Sequence, residues 1–298
     1  MIACAPGKVV ISGAYSVLYG APAIVSAVDL YVRADSKKKS DFVTPEVRVA
    51  LHHEEAPCFD ATALRRDGRK VGLGSSAAIL VASIAARHPE LVTRDPKRRE
   101  LFQRALVAHR EGQGGGSGVD VLASVYGGTN IARMRDGDLS HSAVTLPGDL
   151  HVELWVAPSA ASTAQMVSRV NDLATSRPTE HEHLITELST AAEAAAEAVN
   201  EGDSEALLQS LAAQREGLAD LGVAAGIPIV TKAVQALAKR AEQAQAVVLP
   251  AGAGGGDVVL YVGYSPPDKA ILRHAEELDH RPLGASIHAR ALYLEGTT

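Results

Sequence analysis

Cysteine is nearly absent from this 298-residue sequence, with Cys4 and Cys58 the two examples. Two thiols build neither a disulfide framework nor a four-cysteine metal site, and their rarity favours a reducing compartment. An excess of positive charge is also missing. The net charge is −6, so no global basic field draws in nucleic acid or an acidic membrane. The local clusters Lys37-Lys38-Lys39, Arg65-Arg66 and Lys97-Arg98-Arg99 read as solvated loops and helix ends. Long hydrophobic runs are lacking too. The longest, around Ala77 to Ala86, is too short to span a bilayer. The start, "MIACAPGK", lacks the basic-then-apolar form of a signal peptide. No internal repeat or low-complexity linker interrupts the chain. These absences predict a cytoplasmic globular protein, monomer or homodimer, with no nucleic-acid or membrane partner.

What is present reads first as strand. "KVVIS", "VSAVDLYVRAD" and "EVRVALHH" carry β-branched residues in partial alternation, broken by turn signals at Gly13, Gly20 and Pro22. A helix is predicted over Ala77–Arg87, closed by Pro89, and a second over Lys97–Glu111. A dense glycine cluster follows, then a short helix in "VDVLASVYGG" and strands in "TNIARM" and "HVELWVAP". Helical patterns cover 163–173, 182–200, 204–221 and 229–244. Strand, glycine loop and strand follow in "AVVLPAGAGGGDVVLYVG", then a helix over 267–278 and a last strand, "GASIHARALYL". This order predicts an α+β protein. The shift towards helix near residue 150 predicts two domains, 1–150 and 151–298.

Four stretches concentrate glycine or hydroxyl groups: "APGKVVISGAYSVLYG", "GLGSSAA", "GGGSGVDV" and "PAGAGGGD". Each alone is compatible with a tight turn. Together they supply what a nucleoside triphosphate needs. Backbone N–H groups at a helix start meet phosphate, lysine provides a point charge, a hydroxyl serves magnesium, and a carboxylate faces the acceptor. Lys8, Ser75, Ser76 and Asp120 are those residue types. No Walker A pattern occurs, and no G-x-G-x-x-G follows a strand with an acidic partner downstream.

The first, second and fourth of these stretches resemble the three motifs of the GHMP kinases, in the family's order, from Pro6 to Asp257. Within the family, "SGAYSVLYGAPA", "GSGVDVLASVYGG" and "AASTAQMV" most resemble the phosphomevalonate kinases. The resemblance implies a ribosomal-protein-like N-terminal α/β domain, a ferredoxin-like C-terminal one, and a site in the cleft between them. It implies ATP and Mg²⁺ as cofactors and 5-phosphomevalonate as the small-molecule acceptor. Mevalonate or another small alcohol, and a catalytically silent metabolite-binding relative, are the alternatives. It makes Asp120 the residue that orients the acceptor and Lys8 its charge partner. It assigns Gly72, Leu73, Gly74, Ser75, Ser76 and Ala77 to ATP. Tyr15, Ser117, Gly118, Gly252, Ala253, Gly254 and Gly255 go to the substrate, joined by the cations Lys70, Arg110 and Arg215. Ser76 and Glu111 are the candidate magnesium ligands, while His109 reads as a packed or capping histidine. Ala14, Leu249, Ala251 and Gly114 depart from the family pattern, two of them where a lysine is common.

Overall fold

The structure is a computed structural model that describes residues 1–93, 95–158 and 162–296. The chain opens with β1 (Ile2–Ser12), β2 (Ala23–Lys39), α1 (Pro45–Leu51), β3 (Pro57–Asp60) and the hairpin β4 (Arg65–Arg66) and β5 (Arg69–Lys70). Helices α2 (Ser75–Arg87), α3 (Lys97–Gln113) and α4 (Val119–Tyr126) follow. Next come β6 (Thr129–Arg135), β7 (Asp138–Val144) and β8 (His151–Val156), then α5 (Thr163–Ser176), α6 (Pro178–Glu201), α7 (Ser204–Ala225) and α8 (Lys232–Glu242). The chain continues through β9 (Ala246–Pro250), β10 (Val258–Gly263), α9 (Lys269–Glu277), β11 (Arg281–Pro282) and β12 (Tyr293–Leu294). The α+β class follows from this mixture. The first two residues of "AASTAQMV" lie outside the described residues.

Packing gathers the chain into two interleaved units. One holds Met1–Val9, Val25–Thr129 and Ile287–Thr298, the other Val10–Ile24 and Asn130–Ser286. Composition points to one cut near 150; contacts follow this interleaved division.

In the first unit β12, β1 and β2 pair in that order and β3 adds to β2, with Ala3 opposite Leu294 and Arg33 opposite Asp60. Helix α2 is buried on nearly every side from Ala77 to Ala86, which is why its sequence shows no polar face. Helices α1, α3 and α4 pack around it. The second unit carries an antiparallel sheet in the order β11-β8-β10-β9, with Val259 opposite both Trp155 and Pro250. Helices α7 and α8 cover β9, and α6 lies along α7. The core there gathers Trp155, Tyr261, Leu188, Leu221, Ile229 and Leu237.

Two expected strands are not strands. "EVRVALHH" forms α1, because Thr44 caps it with its hydroxyl (Val47 N donating at 3.4 Å) and Pro45 occupies the first turn. Those start signals outweigh the Val-x-Val alternation. "GASIHARALYL" is mostly irregular, with a bridge from Ile287 to Val28 and pairing at β12. Left-handed backbone at Gly284 and His288 breaks the run.

Candidate functional site

In the first unit the glycine loop before α2 is fastened to β1. The Lys8 N–H donates to the Leu73 carbonyl at 2.9 Å, and its ammonium donates to the Gly72 carbonyl at 3.2 Å. Gly74 caps α2 in the left-handed region, φ 72°, with no side-chain cap. A Cβ there would stand 2.9 Å from Lys8 Cγ, 3.1 Å from Lys8 Cε and 3.6 Å from Asp120 Cβ. Glycine at 74 is thus what lets the lysine and the aspartate crowd the helix start. The first helical bond runs from Ala78 N to Gly74 O. The N–H groups of Ser75, Ser76 and Ala77 precede the ladder, at the positive end of a buried helix. Ser75 is buried and Ser76 half-buried.

Asp120 occupies the first turn of α4, whose cap is Gly118 rather than the aspartate. Its Oδ1 accepts from the Val121 N–H at 3.0 Å, and its Oδ2 lies 3.3 Å from His109 Nε2. Burial opposes its charge, but His109 first, then Lys8 and the Val121 N–H, outweigh burial and bring the carboxyl down to about 2. The same contact moves His109 the other way. Burial disfavours the imidazolium, yet Asp120 and then Glu46 raise its affinity for a proton. His109, dismissed on sequence as a packing residue, therefore joins the site. A single histidine inside a charged helical stretch gave no signal that it would face a residue eleven positions on.

The other expected residues of this unit fall elsewhere. Arg110 spends its guanidinium on the loop that follows its helix, donating to the carbonyls of Gly116 (3.2 Å) and Ser117 (3.3 Å). It shapes the Gly114–Gly118 loop instead of standing ready for an anion. Glu111 is exposed, and two residues of helix turn it about 200° from His109. It does not face Asp120, and among the described residues no group of three His, Cys, Asp or Glu is placed to cage a metal. Lys70 is exposed on β5, opposite Arg65.

The second unit joins the first motif to the third. Tyr15, buried and at φ 63°, donates its hydroxyl to the Ala253 carbonyl at 2.7 Å. Desolvation raises its pKa, so it stays a neutral donor. Gly255 N donates to the Ile229 carbonyl at 3.0 Å, and a Cβ on Gly254 would collide with that same carbonyl. Gln214, from the middle of α7, accepts from the Gly13 N–H at 2.8 Å and donates to the Ser12 hydroxyl. Sequence reading missed Gln214, whose partners lie about two hundred residues away. Arg215 is taken up by Glu242, at 3.0 Å, and Glu216, so it bridges α7 to α8. Tyr15 acts here as a brace for the Gly252–Gly255 loop. The departures at Ala14, Leu249 and Ala251 are packed into apolar surroundings.

The chain is similar to several known proteins. Residues 45–128 match the GHMP kinases N terminal domain. The mevalonate kinase of Archaeoglobus fulgidus is 29% identical over 299 residues, covering 93% of this chain and 98% of that protein. The phosphomevalonate kinase of a Streptomyces species is 32% identical over 65% of this chain, which spans 57% of that relative. Among solved structures, Streptococcus pneumoniae phosphomevalonate kinase in complex with phosphomevalonate and AMPPNP superposes with a TM-score of 0.77 at 18% identity, covering 96% of this chain and 99% of that one. The second motif, at the start of α2, lies inside the matched segment and the similarity to the mevalonate kinase runs along 93% of the chain, so the chain carries a GHMP kinase N-terminal domain.

Proposed function

We propose that the protein transfers the γ-phosphoryl group of ATP to 5-phosphomevalonate. The convergence of Lys8, the Gly74-capped start of α2 and Asp120 carries the reading. The N–H groups at the start of α2 meet phosphate oxygens, and the Lys8 ammonium offsets charge on the transferring group. An acceptor oxygen attacks the γ-phosphorus, the bond to the β,γ-bridging oxygen breaks, and ADP leaves. Asp120 orients the attacking group. Magnesium, bound with ATP, would neutralise phosphate charge, with the Ser76 hydroxyl as the protein ligand beside ATP oxygens and water.

The state of Asp120 favours the phosphorylated acceptor. His109 and Lys8 hold the Asp120 carboxyl below its ordinary range, which weakens it as a base for removing an alcohol proton. A phosphomonoester has already lost its second proton near neutrality, its pKa being about 6. It needs orientation rather than deprotonation. Mevalonate is the second reading, favoured by the engagement of Arg110 and Arg215 with other partners. An ADP-release assay with both acceptors separates them. Preferred turnover of 5-phosphomevalonate is expected; equal or better turnover of mevalonate overturns the acceptor, and no ADP release with either overturns the kinase.

A further inference from the structure

We propose that His109 is a positioning residue for the Asp120 carboxylate. This rests on the kinase reading above. Three helices contribute one side chain each. Asp120 from α4 meets the ring at Nε2, 3.3 Å away. His109 from α3 is 3% exposed, and its Nδ1 is buried with no hydrogen-bond partner. Glu46 from α1 is 4% exposed and likewise leaves Oε2 buried and unpartnered, while Gln113 donates to its Oε1 at 2.9 Å. Two orphaned polar atoms in one packed region are expensive unless charge compensates them. A ring serving packing alone would be replaced at less cost by an apolar side chain.

The glutamate is brought in deliberately close. A Cβ on Gly112 would stand 2.9 Å from the Glu46 Cα and backbone N, so glycine at 112 sets the approach of α1 to α3. Glu46 keeps its charge: burial opposes ionisation, but Gln113, its own N–H, Thr44 and His109 outweigh that. The charges acting on the ring are then Asp120 from α4, Glu46 from α1 and Arg110 from its own helix, the last opposing the imidazolium. Helix α2 presents no charged side chain from Ser75 to Ala86, and its Arg87 lies beside Glu54. Glu90, in the turn before α3, contacts His88. Both Asp120 oxygens are thereby occupied, one by the Val121 N–H and the other by the His109 ring at Nε2. The carboxylate cannot rotate away from the Lys8 side of the site without losing both partners.

The test compares His109→Ala, His109→Gln and Glu46→Gln with the wild-type enzyme, measuring kcat, the KM for ATP and the pH profile of kcat. His109→Ala is expected to lower kcat by about 10- to 100-fold with the KM for ATP within threefold. His109→Gln retains a neutral donor; it is expected to recover most of the rate near neutrality and to abolish the wild-type decline of kcat as the ring loses its proton. Glu46→Gln is expected to move that decline to lower pH. A folded His109→Ala enzyme with wild-type kcat and pH profile overturns the proposal. Should that variant fail to fold, an unchanged pH profile in His109→Gln overturns it. Should the wild-type protein release no ADP, the kinase reading falls, and NMR titration of the His109 ring decides the pairing. A ring that titrates identically in wild type and Asp120→Asn overturns it; a lower ring pKa in Asp120→Asn supports it.

Discussion

Replacing Gly74 by alanine is a sharp test of how the glycine loop works, because the structure separates two consequences of one methyl group. The first is conformational. Gly74 sits at φ 72°, where an L-residue is disfavoured by about 1–2 kcal/mol. For a chain of this size that lowers Tm by about 2–8 °C, taking roughly 2–4 °C per kcal/mol. The second is steric. The new Cβ meets Lys8 Cγ at 2.9 Å and Cε at 3.1 Å, which is too close for either to stay. Both belong to a flexible side chain, so the lysine swings aside while the backbone holds. Its ammonium then leaves the Gly72 carbonyl and the phosphate path. Loss of one preorganised donor lowers kcat by about 10²–10³, and a displaced lysine by less, on the order of 10–100-fold. A double-mutant cycle with Lys8→Ala, read in kcat by ADP release and in Tm by calorimetry, checks this. The two substitutions should be strongly non-additive in kcat, and partly so in Tm because Lys8→Ala removes the atoms the new Cβ meets. Additive losses in kcat, or a Gly74→Ala enzyme with unchanged turnover, would show that the loop does not act through Lys8.

Other consequences are open to direct measurement. Asp120→Asn should lower kcat by about 10²-fold through lost orientation while ATP still binds in calorimetry; near-wild-type turnover in the folded variant refutes the role of Asp120. The same variant reports on stability against pH. With its pKa moved from 3.8 to about 2, Asp120 contributes about 2 kcal/mol that is present above pH 3.8 and lost as pH falls through 2. His109, raised, contributes stability that is full below its ordinary value and lost as pH rises through the folded one. Urea titrations should therefore show the wild-type advantage over Asp120→Asn shrinking at both ends of the pH range, and a pH-independent difference refutes the pairing. Tyr15→Phe removes the bond to Ala253 and should lower stability by about 1 kcal/mol, read from the denaturant midpoint; an unmoved midpoint shows that the hydroxyl is not the brace.

The glycine motifs and the order of most helices were legible in the sequence because they are local. Lys8, the Gly72–Gly74 loop and Asp120 stand together at the start of α2. What escaped reading depended on partners far along the chain or on helix register. Arg110 and Arg215 looked like free cations, yet one is used by loop carbonyls just beyond its helix and the other by Glu242 on the next helix. His109 differs from Glu111 by two positions, and the register of α3 decides that the histidine faces the aspartate. Gln214 is buried against Ser12 and Gly13, to which no periodicity in the sequence connects it. The strand expected at "EVRVALHH" failed for the opposite reason, since Thr44-Pro45 already carried a helix-start signal that alternation obscured.

The interleaving of the two units has a consequence for synthesis on the ribosome. Tyr15 and Ala253 are 238 residues apart, and at about 5–20 residues per second the first emerges about 12–48 s before its partner. Throughout that interval Val10–Ile24 has no finished unit to join. The first unit waits as well, since Ile287 and the residues after it belong to it. Neither unit can close vectorially, so the nascent chain carries an apolar segment awaiting its partners until the residues beyond Ile287 have emerged.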